Sequence, residues 1–127
     1  MKTALQKRIF IVDDDLFWNI KMTQILTDLG CTSVVNFKSG EDCVNNLHLN
    51  PIIIFLDFKM KAMDGLEVLR RAKDYFPGIG IVFCTANEEL SFAVNAMKSG
   101  SSDFLLKQNA TAEKIRDILE SLVNKMQ

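Results

Sequence analysis

The chain has 127 residues, 48% of them hydrophobic, which suits one packed core and leaves no room for a second. Lysine and arginine number 15 against 16 acids, for a formal net charge of -1; with no run of one sign, direct nucleic-acid binding is not expected. Pro51 to Leu56, the longest apolar run, cannot span a bilayer and the amino end lacks an apolar signal core, so the expectation is a single soluble, cytoplasmic domain over residues 1–127.

In chain order, Ile9-Phe10-Ile11-Val12 comes first; an unbroken apolar run implies a strand covered on both faces, as in a parallel sheet. It leads into Asp13-Asp14-Asp15. Trp18, Met22, Ile25, Leu26 and Leu29 then fall on one helical stripe, and Gly30 stands where a left-handed cap is wanted. Val34-Val35 with Phe37 reads as a shorter edge strand, and Ser39-Gly40-Glu41-Asp42 opens a short helix through Leu47. Ile52-Ile53-Ile54-Phe55-Leu56 is the second buried strand and ends in Asp57. Asp64 with Glu67 resembles a capping box for a helix whose stripe is Leu66, Leu69, Ala72 and Phe76, stopped by Pro77-Gly78. Ile81-Val82-Phe83-Cys84 leads to Thr85. Leu90, Ala93, Val94 and Met97 form the next stripe, ahead of Gly100. Phe104-Leu105-Leu106 leads to Lys107, and Ile115, Ile118, Leu119 and Leu122 close the series. Strand and helix repeated five times require right-handed crossovers and predict a three-layer, doubly wound α/β domain with a five-stranded parallel sheet.

Cys31, Cys43 and Cys84 are odd in number, widely spaced and set among apolar neighbours, a pattern of buried, reduced thiols rather than disulfides or a zinc site. His48 has no partners for a carrier or metal role and reads as a helix-end or loop residue.

Ligands of such sheets bind outside the carboxyl ends of the strands. Those ends carry Asp13-Asp14-Asp15, Asp57, Thr85 and Lys107, all projecting from one rim. Converging carboxylates with one lysine must bind protons or recruit a cation, and Mg2+ is the oxygen-seeking ion that also draws in phosphate. A carboxylate beside Mg2+ can attack phosphorus, which makes Asp57 the candidate nucleophile, with Thr85 and Lys107 as donors to the remaining oxygens.

The ordered set Asp13-Asp14, Asp57, Thr85-Ala86 and Lys107 resembles the receiver domain of two-component response regulators over essentially the whole chain. The resemblance implies a flavodoxin-like strand order 2-1-3-4-5. It implies that Asp14, Asp57 and the backbone carbonyl of Lys59 bind Mg2+ directly, with Asp13 acting largely through water. Asp57 then takes a phosphoryl group from a phosphohistidine on a sensor histidine kinase or histidine phosphotransfer protein. Thr85 and Phe104 act as the switch, remodelling the face of the fourth helix, fifth strand and fifth helix for a downstream partner or an output domain; a homodimer on phosphorylation is among the partners it allows. The domain is a signalling switch and not an enzyme beyond assisting its own phosphorylation and dephosphorylation. Lys59 and Asn87 occupy positions that tune the lifetime of the phosphoryl group.

Three departures from the family pattern stand out. Lys61 takes the place of a proline four residues after the acceptor, Gln108 follows Lys107 where the family has a cis proline, and Phe104 replaces tyrosine. Three alternatives stay open at this level: a phosphatase of the haloacid dehalogenase kind using Asp13 and Asp15, a flavodoxin-like FMN carrier, and, foremost, a receiver-like interaction module that works without phosphorylation.

Overall fold

The computed structural model describes residues 6–86, 90–98 and 100–126. Five strands, β1 (Arg8–Val12), β2 (Ser33–Phe37), β3 (Ile53–Asp57), β4 (Gly80–Thr85) and β5 (Asp103–Leu106), alternate with five helices. The helices are α1 (Leu16–Asp28), α2 (Gly40–Asn45), α3 (Gly65–Tyr75), α4 (Leu90–Lys98) and α5 (Ala112–Met126). All pairings are parallel and the sheet order is β2-β1-β3-β4-β5, as expected.

Period-two alternation sorts each continuous apolar run onto two faces. Ile9, Ile11, Ile53, Phe55, Val82, Cys84 and Leu105 face α1 and α5, joining Trp18, Met22, Leu26, Ile115, Ile118, Leu119 and Leu122 in one core. Phe10, Val12, Ile54, Leu56, Ile81 and Phe83 face the other way, onto Cys43, Val68, Leu69 and Ala72. Strands covered on both sides leave their carboxyl ends as the natural outlet for polar groups.

Local chemistry starts and stops the helices as the residues dictate. Asp15 caps α1, Ser39 caps α2 and Asp64 caps α3, each side chain accepting from backbone N–H groups of the first turn, which would otherwise lack partners. Gly30 at φ 101° and Gly100 at φ 118° adopt the left-handed conformation that costs glycine little. The three cysteines are buried and free, and burial pushes the Cys43 thiol up to about 12. His48 is exposed in a 3-10 turn over Leu47–Leu49. No helix among the described residues is long and apolar enough to cross a membrane.

Several expectations need correction. Phe76 lies beyond α3 with an extended backbone, 51% exposed, because a residue before proline is driven out of the helical region; Val68 takes its place in the core. The second helix ends at Asn45, and Leu47 opens the 3-10 turn instead. Val94 and Met97 are exposed, so these two do not cover the sheet as expected; the side chains of Leu90 and Ala93 lie outside the described residues. Asp15 is not a rim acid, since its carboxylate is spent on the cap.

Candidate functional site

Register alone brings the site together. Val12 pairs with Leu56, Asp57 with Cys84, and Thr85 with Leu106, so Asp13, Asp57, Thr85 and Lys107 emerge side by side at the carboxyl rim. Lys107 stands one residue beyond β5, in the 3-10 turn Lys107–Asn109. The Lys107–Gln108 bond is not cis, as no described peptide bond is.

Asp13 is fully buried and Asp57 is 7% exposed, whereas Asp14 is exposed. One carboxylate oxygen from each of the three lies within 4.8 Å of the other two. Asp14 also borders a cleft of about 240 Å³ shared with Lys38, Glu41, Met60 and Met63. The Lys107 Nζ sits 2.7 Å from Asp13 Oδ2 and 3.8 Å from Asp57 Oδ1. It is therefore parked on the buried acid, with the Asp57 carboxylate at the edge of its reach.

Backbone groups complete the arrangement. The N–H of Asp15 donates to Asp13 Oδ1 at 2.9 Å, and the N–H of Lys59 donates to Asp57 Oδ1 at 3.4 Å. Asn19 donates its side-chain amide to the carbonyl of Asp13 at 2.8 Å, tying the first turn of α1 to the rim. Thr85 is buried and its Oγ1 donates to the carbonyl of Ala86 at 3.2 Å.

Burial pushes the Asp57 carboxyl up to about 7, assisted by the charge of Asp13 and only partly countered by Lys107 and the Lys59 N–H. Burial likewise raises Asp13, outweighing its bonds to Lys107 and Asp15. Lys107 is lowered by burial, but the hydrogen bond with Asp13 and the charges of Asp57 and Asp13 win and hold it above the ordinary lysine value. Asp13 Oδ2 has the Lys107 ammonium at 2.7 Å as its partner. Three close carboxylates with a single lysine to balance them make a hard oxygen donor set that fits a divalent cation of the Mg2+ kind.

Other expected residues fall in different places. Lys59 is exposed, bordering the site through its backbone. Phe104 is half-buried and packs against the core cluster that includes Phe83, Val68 and Leu69. Asn87 lies outside the described residues. The helical stripe places Trp18 in the core and assigns neither it nor Asn19 a contact with the rim residues, yet the Trp18 ring lies 5.2 Å from the Lys107 Nζ. The available signal was their spacing, four and five residues past the last acid of the rim pair.

A family model described as response regulator receiver domain matches residues 9–120. The chemotaxis protein CheY of Listeria monocytogenes is 30% identical over 114 residues, covering 89% of this chain and 95% of that one. The regulatory protein LuxO of Vibrio vulnificus is 35% identical over 88 residues, 68% of this chain but 19% of the relative. A solved receiver domain from Clostridium thermocellum superposes with a TM-score of 0.85 at 23% identity, covering 94% of this chain and 95% of that one.

Proposed function

Because this chain belongs to the response regulator receiver domain family, we propose that it is a phosphorylation-dependent switch in which Asp57 accepts a phosphoryl group from a phosphohistidine. The observation that carries the reading is the buried Asp57 carboxylate, held within 4.8 Å of the Asp13 and Asp14 oxygens and 3.8 Å from the Lys107 ammonium.

Asp13, Asp14 and Asp57, with the carbonyl of Lys59, would hold Mg2+, Asp13 largely through water. When bound, the ion neutralises charge on the incoming phosphoryl oxygens. An oxygen of Asp57 forms the O–P bond as the P–N bond to the donor imidazole breaks; the electron pair returns to that nitrogen, which takes a proton from solvent. Lys107 leaves Asp13 to meet a phosphoryl oxygen, and the Thr85 hydroxyl turns from Ala86 to meet another. Phe104, half-buried between the core and the α4–β5–α5 face, follows Thr85 inward and biases that face toward a downstream partner or an output domain. Lys59 and Asn87 set how long the phosphoryl group lasts.

The donor docks beside the rim on α1, where Leu16, Phe17 and Ile20 are 55%, 82% and 58% exposed. An apolar strip next to Asp14 suits a helical phosphotransfer partner better than water.

Intact-mass spectrometry after incubation with acetyl phosphate tests the reading. One phosphoryl group per chain is expected, absent without Mg2+ and absent in Asp57→Asn. A labelled Asp57→Asn protein would move the chemistry to another acid, and an unlabelled wild type would leave a binding module that works without phosphorylation.

A further inference from the structure

The single tryptophan of the chain stands directly behind the lysine of the site. Trp18 is 6% exposed in the first turn of α1. Its ring centroid lies 5.2 Å from the Lys107 Nζ and 5.9 Å from the Lys21 Nζ. Lys107 is thus bounded on three sides, by Asp13, by Asp57 and by the indole, and only the indole lacks a carboxylate oxygen that could ligate a metal ion or accept a phosphoryl group.

An ammonium on a flexible four-carbon stem has many solvent-facing rotamers to lose before it can act at one place. The negative face of an indole restrains it, and more strongly as both are withdrawn from water; the Lys107 side chain is 25% exposed. The indole is itself fixed by the start of α1, because Asp15 Oδ1 accepts from the N–H groups of Phe17 and Trp18 at 3.0 Å and 3.4 Å. The next residue, Asn19, holds the carbonyl of Asp13. One helical turn therefore grips both members of the Lys107–Asp13 pair.

We propose that Trp18 is a positioning residue for Lys107, its ring keeping the ammonium over the rim so that it meets an incoming phosphoryl oxygen without a search through solvent. The inference rests on the phosphoacceptor reading above. It assigns the indole a role that burial alone would not require, since leucine or phenylalanine would also fill an apolar site.

The test is a substitution series in the full chain with acetyl phosphate and Mg2+, scored by intact mass against time and donor concentration. The rate at saturating donor should fall in the order Trp, Tyr, Phe, Leu, reaching about three- to tenfold in Trp18→Leu, the range of a partly desolvated cation–π contact. The half-saturating donor concentration should barely move. Lys21→Gln, which removes the outer ammonium, should leave the rate unchanged. Without Mg2+ or donor, Lys107→Gln should shift the tryptophan emission, a signal that needs no phosphorylation. Equal rates for Trp18→Phe and Trp18→Leu, both folded by circular dichroism, would overturn the positioning role and leave the receiver reading intact. An unlabelled wild type whose emission still responds to Lys107→Gln would overturn both, leaving the contact as structure only. Should Trp18→Leu fail to fold, the Trp, Tyr, Phe order and the Lys107→Gln emission decide alone.

Discussion

The interior of β3 and its last residue are one peptide bond apart and both buried, yet they do opposite things to the fold. Ile53, Ile54, Phe55 and Leu56 are at most 1% exposed, and Asp57 is 7% exposed. Burial stabilises the first four by removing apolar surface from water; it raises the energy of the fifth, whose carboxyl is pushed up to about 7. The sheet's middle contributes stability, and its carboxyl rim holds a charge that burial disfavours.

The largest effect expected from this contrast is in the middle. Phe83 is fully buried and packs against Phe58 with ring centroids 5.2 Å apart. Phe83→Ala should cost about 3–5 kcal/mol, the usual loss for a buried aromatic, measured by urea unfolding at neutral pH. A loss near that of a surface substitution would mean the core is not where the stability lies.

At the rim the sign reverses. A carboxyl whose folded value of about 7 stands above the ordinary 3.8 stabilises the fold fully below pH 4. That contribution is lost as pH rises through the interval up to about 7, because the unfolded chain releases its proton first. In cation-free buffer Asp57→Asn should therefore leave stability nearly unchanged near pH 4 and raise it by on the order of 4 kcal/mol above pH 7. Thermal unfolding at the two pH values reads the difference. Mg2+ should stabilise the wild type more than the variant, and an equal gain at both pH values would place the effect in packing instead of charge.

Both regions were legible in the residues because each obeys a one-dimensional rule. Continuous apolar runs marked strands covered on two faces, and the polar residue ending each run marked the rim. What escaped notice depends on three dimensions or on competition between local signals. Phe76 matched the α3 stripe, but Pro77 forced it out. Asp13 to Asp15 fit both rim acids and a helix cap, and only the structure divides the roles, giving the cap to Asp15. Trp18 was read as core, correctly, while its distance to Lys107 follows from the packing of α1 near the end of β5, which no local pattern encodes. The pairing of Lys107 with Asp13 rather than Asp57 has the same origin.

The two regions meet at Gly65, and the smallest predicted effect tests whether they are coupled. A Cβ there would stand 2.6 Å from the Phe83 ring, 2.8 Å from the carbonyl oxygen of Asp57 and 3.0 Å from the Cα of Phe58, while the Gly65 N–H donates to the carbonyl of Phe58 at 3.0 Å. Alanine is otherwise the better helix former, so any loss comes from these contacts. Gly65→Ala should cost about 1–2 kcal/mol by overpacking and should slow phosphorylation of Asp57 by displacing the backbone that carries it. Adding Phe83→Leu relieves the ring but not the carbonyl. If stability then recovers relative to Phe83→Leu alone while labelling stays slow, the core reaches the site through the Asp57 backbone. If both recover together, the ring alone carried the strain, and the rim is positioned independently of the glycine.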